Sequence, residues 1–309
     1  MSRLLDGTAV AQAIRDEVRP GIDLFRARAG RPPGLGIVLV GDDPASEIYV
    51  RNKLKAAAEI GFRADVNRLP ASASLRELLG VVAHLNVSEE HDGILVQSPL
   101  PDAMGADAER RVFDAISAEK DVDGFHSVNV GRLVQNRATV AAGTPSGIME
   151  LLRRSHIAIA GRHAVVIGRS DIVGKPMALM LLHANATVTI CHSKTTDLPG
   201  TARQADILVS AIGRPAFVTK DFVKSGATVV DVGTSRVDDR ETIERLFPPG
   251  SKRREAFEKR GSLVIGDVHP EVEQVAGALT PVPGGVGPLT VAMLLKNTLI
   301  AAQERFKAR

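Results

Sequence analysis

Short apolar runs closed by glycine alternate along the chain with longer amphipathic stretches. The runs are GLGIVLVG at 34–41, DGILVQ at 92–97, RHAVVIG at 162–168, ATVTIC at 186–191, ADILVSAIG at 205–213, ATVVDVG at 227–233 and SLVIGDV at 262–268. Nearly continuous apolar character over so few residues predicts strands buried on both faces of parallel sheets. Between them, PASEIYVRNKLKAAAEIG and SLRELLGVVAHLN repeat apolar residues at helical spacing. The alternation predicts an α/β protein with parallel sheets and crossover helices. The strands form two groups, and AAGTPSG, around Ala142 to Pro145, marks the boundary between them. TPVPGGVGP at 280–288 is too rich in Pro and Gly for helix or strand and predicts a shaped loop. The helix after it sets Val291, Leu294, Leu295, Thr298, Leu299 and Ala302 on one face. These signals predict an N-terminal α/β domain over 1–143, completed by the last helix at 286–309, and a second domain over 144–285.

Composition narrows the function. The chain has 309 residues, one cysteine, one tyrosine, nine phenylalanines and no tryptophan. Ten rings are mostly consumed by core packing, which argues against a surface that stacks on unpaired bases. A lone cysteine forms no internal disulfide and supplies no Cys-rich zinc site, so a cytoplasmic setting is expected. Lys and Arg exceed Asp and Glu by 39 to 36, too small an imbalance to predict a nucleic-acid partner. The N-terminal segment lacks the apolar core of a signal peptide, and no later segment has the length of a membrane span. The charged stretch 238–260, broken by Pro248 and Pro249, is expected to be a solvated surface insertion.

RHAVVIGRSDIVGKPMALMLLHANATVTICHS reads strand, glycine turn, helix, strand. That context predicts a Rossmann-like unit in which Gly168, Arg169, Ser170 and Gly174 lie where a helix N-terminus meets a pyrophosphate. The spacing is irregular, Gly168-x-Ser170-x-x-x-Gly174. Gly174-Lys175 is followed by Pro176, not Ser or Thr, so a Walker-type ATP loop is rejected. The following strand ends in Cys191-His192-Ser193-Lys194-Thr195, without the carboxylate that binds a ribose 2′-hydroxyl. Hydroxyls and a cation there, with Arg169 beside the turn, favour the 2′-phosphate of NADP over NAD. Lys194 taken singly reads equally well as part of an ordinary basic loop.

Tyr49 and Lys53 stand four apart on one helical face. A phenol beside an amine orients substrate and moves a proton if burial brings the lysine toward neutrality; an exposed helix pair is the plain alternative. Gln97, where the DGILVQ strand gives way to a loop, is placed to hold that amine. Lys120-Asp121-Val122-Asp123-Gly124 sets two carboxylates on a glycine turn, suited either to capping a helix or to gripping an amino-pyrimidine edge.

Together these motifs resemble the bifunctional methylenetetrahydrofolate dehydrogenase/methenyltetrahydrofolate cyclohydrolase family. The resemblance rests on VGDDPASEIYVRNKLKAAAEIGF, DGILVQSPLP, KDVDGFHSVNVGRL, TPSGI, VVIGRSDIVGKPMALML, CHSKT and TPVPGGVGPLTVAML, all in order. It implies a cleft between two domains that holds tetrahydrofolate against NADP, with no metal. It implies catalytic roles for Tyr49, Lys53, Gln97 and Asp123, the last binding the pterin with Asp121 beside it. The family's PVPGGVGP loop falls on Pro281, Gly284, Gly285 and Pro288, lining the folate site. Its 2′-phosphate ligands fall on Arg169 and Ser193. Thr234 lies near the expected nicotinamide, where Thr234-Ser235 replaces a frequent Ile-Asn. Ser98 stands where leucine is common. The expected activity is oxidation of 5,10-methylenetetrahydrofolate and hydrolysis of the methenyl product to 10-formyltetrahydrofolate, by a homodimer with no appended synthetase domain. A dehydrogenase-only relative and a non-catalytic NADP- or folate-sensing module are the alternatives. Tyr49 is expected to face the folate.

Overall fold

The computed structural model describes residues 2–137 and 140–307. In chain order the elements are β1 (Arg3–Leu4), α1 (Gly7–Ala29), β2 (Gly34–Val40), α2 (Pro44–Ile60), β3 (Arg63–Leu69), α3 (Leu75–Val87), β4 (Gly93–Val96), α4 (Ala108–Ala115), α5 (Ser127–Val134) and α6 (Gly143–Arg154). Then follow β5 (His163–Ile167), α7 (Gly174–His183), β6 (Thr187–Cys191), α8 (Leu198–Ala202), β7 (Ile207–Ser210), β8 (Thr228–Asp231), β9 (Ser235–Val237), α9 (Arg240–Leu246), α10 (Lys252–Arg260), β10 (Leu263–Ile265), β11 (Ala278–Leu279) and α11 (Val286–Lys307). Residues 308 and 309 of the expected last helix lie outside the described residues. Contacts divide the chain into two units, one of Ala11–Gly143 with Val291–Arg309, the other of Met1–Val10 with Thr144–Thr290.

The first unit is built on a parallel sheet in the order β3, β2, β4. Every residue of β2 and β4 is buried, as their uninterrupted apolar runs require. The polar β3, RADVNRL, is an edge strand and half-exposed, so it gave no such run. On one side of the sheet Leu35, Ile37, Leu39 and Leu95 meet Val50 of α2 and Leu294 and Ala301 of α11. Asp92, just before β4, accepts from Arg31 at 2.7 and 2.8 Å, from the Gly34 amide at 2.9 Å and from Arg305 at 3.2 Å, which ties the end of α11 to the sheet.

The second unit is a six-stranded parallel sheet in the order β1, β11, β8, β7, β5, β6. The segment ending at Val10 belongs here, whereas the domain division read from the sequence put it with residues 11–143. The reason is β1, a two-residue strand too short for periodicity, which pairs with β11. SLVIGDV also departs from expectation: its strand, β10, pairs antiparallel with β9 outside the parallel sheet, and its middle residue Val264 is exposed. Nor is 238–260 merely solvated. Asp239 caps α9 and Ser251 caps α10, and Ile243, Leu246 and Phe257 bury with Val237, Leu263 and Ile265 in a small core of their own. Its dense surface charge masked three apolar positions spaced too widely to read as a face.

Candidate active site and dinucleotide crevice

Asp43 starts α2 by accepting from the Ser46 amide at 2.7 Å, Pro44 follows at the first turn, and left-handed Gly61 ends it. This fixes Tyr49 and Lys53 one turn apart. Lys53 Nζ donates to Gln97 Oε1 at 2.9 Å, and Gln97 Nε2 donates to the Ser98 carbonyl at 2.6 Å. The amide is therefore held with its oxygen toward the lysine. Burial drives the Lys53 amine below the ordinary lysine range, with the nearby Asp123 charge opposing it. Burial pushes the Asp123 carboxyl up to about 7; Lys53 pulls it down and Asp121 raises it further. Tyr49 keeps 40% of its surface exposed, so its ring is not consumed by the core.

Asp121 lies in the turn ahead of α5. It is buried, and its carboxylate accepts from the Gly124 amide at 3.0 Å, the His126 amide at 2.9 Å and Asn129 Nδ2 at 2.8 Å. These bonds make Asp121 a brace of the turn that carries Asp123. Gly124 has φ of 73°, and a Cβ there would lie 2.6 Å from the Ala141 carbonyl carbon. Sequence reasoning missed two anchors. The fully buried Lys120 donates to the Leu85 and Ser88 carbonyls at 2.8 and 2.6 Å, closing the C-terminal end of α3. Asn297 donates to Val122 and Ala141, both at 2.9 Å, and so braces the Asp123 segment from α11. A polar Asn within an apolar helical run was its available signal.

In the second unit the glycine turn leaves β5 at Gly168, whose φ is 124°. A Cβ on Gly168 would stand 2.3 Å from the Ala211 oxygen, and one on Gly174 would stand 2.3 Å from the Gly168 oxygen. Only glycine fits either position, the close backbone approach a dinucleotide crevice needs. Ser170 Oγ accepts from the amides of Val173 and Gly174 at 3.2 Å, so it caps the entry to α7 while staying exposed. Beside it, the turn after β6 is closed by the His192 amide donating to Thr195 Oγ1 at 2.9 Å. The Gly168 amide donates to the Cys191 carbonyl at 2.9 Å, which sets the two turns side by side. Arg169 and Ser193 are both exposed there, and Thr234 is exposed after β8. This arrangement fits a nucleotide carrying a 2′-phosphate.

The Pro281–Pro288 loop packs on the start of α1. The Gly284 carbonyl accepts from the Thr8 amide at 3.0 Å, and a Cβ on Gly7 would lie 1.7 Å from the Gly285 oxygen. Among the described residues no group of His, Cys, Asp and Glu is arranged to hold a metal, and no helix is long and apolar enough to cross a membrane.

Two family models cover most of the sequence. Residues 5–123 match the tetrahydrofolate dehydrogenase/cyclohydrolase catalytic domain and residues 142–306 match the NAD(P)-binding domain of that family. The chain belongs to the tetrahydrofolate dehydrogenase/cyclohydrolase family. It is 55% identical over 306 residues to the bifunctional protein FolD of Solibacter usitatus, covering 99% of each chain. It is 52% identical over 305 residues to that of Koribacter versatilis, covering 99% of this chain and 98% of that one. Among solved structures, the methylenetetrahydrofolate dehydrogenase-cyclohydrolase of Trypanosoma brucei, complexed with NADP and an inhibitor, is 40% identical with a TM-score of 0.87 and 99% coverage of both chains. The dehydrogenase/cyclohydrolase family thus accounts for both units, one by its catalytic and one by its NAD(P)-binding domain.

Proposed function

We propose that this chain oxidises 5,10-methylenetetrahydrofolate with NADP and hydrolyses the resulting methenyl compound to 10-formyltetrahydrofolate, with Lys53 handling the protons of the second step. The observation that carries the reading is the buried Lys53 amine, held at 2.9 Å by Gln97 and kept below its ordinary range beside Asp123. Bound NADP supplies the hydride acceptor, C4 of its nicotinamide. That step needs no strong base, because the product cation is stabilised by its two adjacent nitrogens. What the chain contributes is alignment: Gly168 and Gly174 admit the pyrophosphate, Arg169 and Ser193 bind the 2′-phosphate, and Asp123 fixes the pterin.

Water attack on the methenyl carbon does need proton transfer. Lowering the lysine pKa enlarges its neutral fraction at a given pH, and the neutral amine accepts a proton from the attacking water and returns it to the departing ring nitrogen, while the second water proton passes to solvent as the formyl carbonyl forms. Gln97 Oε1 aims the amine, and Tyr49, half-exposed one turn earlier, positions the ring. The family resemblance adds Pro281, Gly284, Gly285 and Pro288 as folate-binding residues and Thr234 as a cofactor-binding one. Asp121 supports Asp123 through the turn. The Lys53–Gln97 pair favours the bifunctional reading over a dehydrogenase alone. A single buried cysteine, Cys191, supports placement in the cytoplasm; the homodimer rests on family resemblance. The test is incubation with methylenetetrahydrofolate and either NADP or NAD. Faster reduction of NADP supports the proposal, and no reduction of either nucleotide rejects it.

A further inference from the structure

Two buried aspartates in the dinucleotide-binding unit have no part in the mechanism above. Cys191, Ile167, Ser210 and Asp231 lie in one register across β6, β5, β7 and β8, so all four strands end on a common rim. Ligands of open α/β sheets bind outside that end. Asp231 Oδ1 accepts from the amides of Gly233 at 3.0 Å and Asp267 at 2.8 Å, and its Oδ2 accepts from the Val268 amide at 3.0 Å. This holds the segment after β10 so that the Asp267 carboxylate reaches back over the rim. Asp267 Oδ2 then accepts from Ser210 Oγ at 3.2 Å and the Ile212 amide at 2.8 Å, and its Oδ1 from the Arg214 amide at 2.8 Å.

The space is closed to anything larger. A Cβ on Gly266 would lie 1.9 Å from Asp231 Oδ2, and one on Gly233 would lie 2.4 Å from both the amide nitrogen and Oδ1 of Asp267. Asp267 is fully buried and Asp231 nearly so. Two desolvated carboxylates satisfied mainly by backbone amides are a costly way to hold a loop that apolar packing would otherwise hold, unless the loop's backbone geometry is itself used. The loop in question is Ala211 to Arg214, and its Ala211 carbonyl is the atom against which Gly168 closes.

We propose that Asp267 is a positioning residue for the nucleotide: clasped by Asp231, it fixes the loop after β7 against the glycine turn and thereby sets nucleotide affinity. The inference rests on the dinucleotide reading of this unit. In Asp267→Asn one of the two acceptor oxygens becomes a donor, so at least one donor of the loop faces another donor. The measurements are the NADP Kd by calorimetry, KM and kcat for nucleotide reduction, and methenyltetrahydrofolate hydrolysis without nucleotide. Loss of a hydrogen bond to a charged group predicts a rise in Kd and KM of about tenfold or more, with kcat at saturating NADP and nucleotide-free hydrolysis close to wild type. Ser210→Ala, which removes one bond of the clasp and no charge, raises both constants by a smaller factor. Unchanged Kd and KM in D267N overturn the proposal, as does an equal loss of reduction and hydrolysis, which marks a merely structural role. Should D267N not fold, S210A decides, unchanged nucleotide constants again overturning the clasp. A wild-type protein that neither binds nor reduces NADP instead refutes the dinucleotide reading.

Discussion

Replacing Lys53 with methionine separates the two proposed chemical steps. Methionine has nearly the length of the lysine stem and removes only the charge and the hydrogen bond to Gln97 Oε1. The lost bond and the relieved desolvation of the ammonium oppose each other, so global stability should move by about 1 kcal/mol or less. Without the pull of Lys53, the Asp123 carboxyl should titrate still higher than its present value of about 7. General acid–base catalysis contributes on the order of 10²–10⁴, so methenyltetrahydrofolate hydrolysis above the buffer background should fall at least about a hundredfold, or about 3 kcal/mol in the barrier. Nucleotide reduction, which needs alignment and not a base, should stay within about tenfold of wild type. The assay follows loss of the methenyl absorbance with and without enzyme, beside reduction of NADP, with circular dichroism confirming the fold. Hydrolysis at the wild-type rate would refute the assignment of Lys53.

Four further outcomes follow from particular contacts. Because Asp123 supports the charged form of Lys53, Asp123→Asn should lower the Lys53 pKa further, read by nitrogen NMR of the ammonium; an upward shift would contradict the coupling. The folded chain holds the Asp123 proton up to about 7 against an ordinary 3.8, so it binds more protons than the unfolded chain in that window and this group's contribution to stability falls as pH rises across it. The melting temperature of D123N should therefore gain on wild type between about pH 5 and about pH 8, and a constant difference would contradict burial of the carboxyl. Arg169→Gln should raise the NADP KM about tenfold or more and leave the NAD KM nearly unchanged, since only the 2′-phosphate is affected; equal effects on both nucleotides would remove Arg169 from that role. Asp92→Asn should cost about 3 kcal/mol or more in denaturant unfolding, because it leaves Arg31 and Arg305 without their shared buried carboxylate, and a loss below about 1 kcal/mol would show the pairing to be idle.

What was legible in the sequence was whatever repeats or clusters locally. β2, β4, β5, β7 and β8 announced themselves as apolar runs and α2 by its amphipathic spacing; β6 was also placed, but as a sheet edge it is half-exposed and not buried on both faces as expected. Lys53 and Gln97 were separately visible as a helical lysine and an amide at a strand end, though their contact spans 44 positions. β1 and β11 are two residues each and exist only through pairing, so no local pattern could reveal them. β10 shared its apolar character with the parallel strands, and only its partner β9 fixes its direction. Only the family resemblance singled out Asp123; by local pattern Asp121 and Asp123 look equivalent in KDVDG, and nothing there distinguishes them. The turn does, by burying one carboxylate under three donors and leaving the other toward Lys53. Asn297 and Asp267 act on groups distant in the chain, which a local reading passes over.

The central claim, that one chain runs both steps, is tested most directly by the product balance. Purified protein is supplied with methylenetetrahydrofolate and excess NADP while reduced nucleotide and methenyl absorbance are recorded together and 10-formyltetrahydrofolate is quantified at intervals. The account predicts that 10-formyltetrahydrofolate matches reduced nucleotide, with a small and steady methenyl pool. Reduced nucleotide accompanied by methenyl that accumulates, and disappears only at the rate seen in buffer, would contradict it.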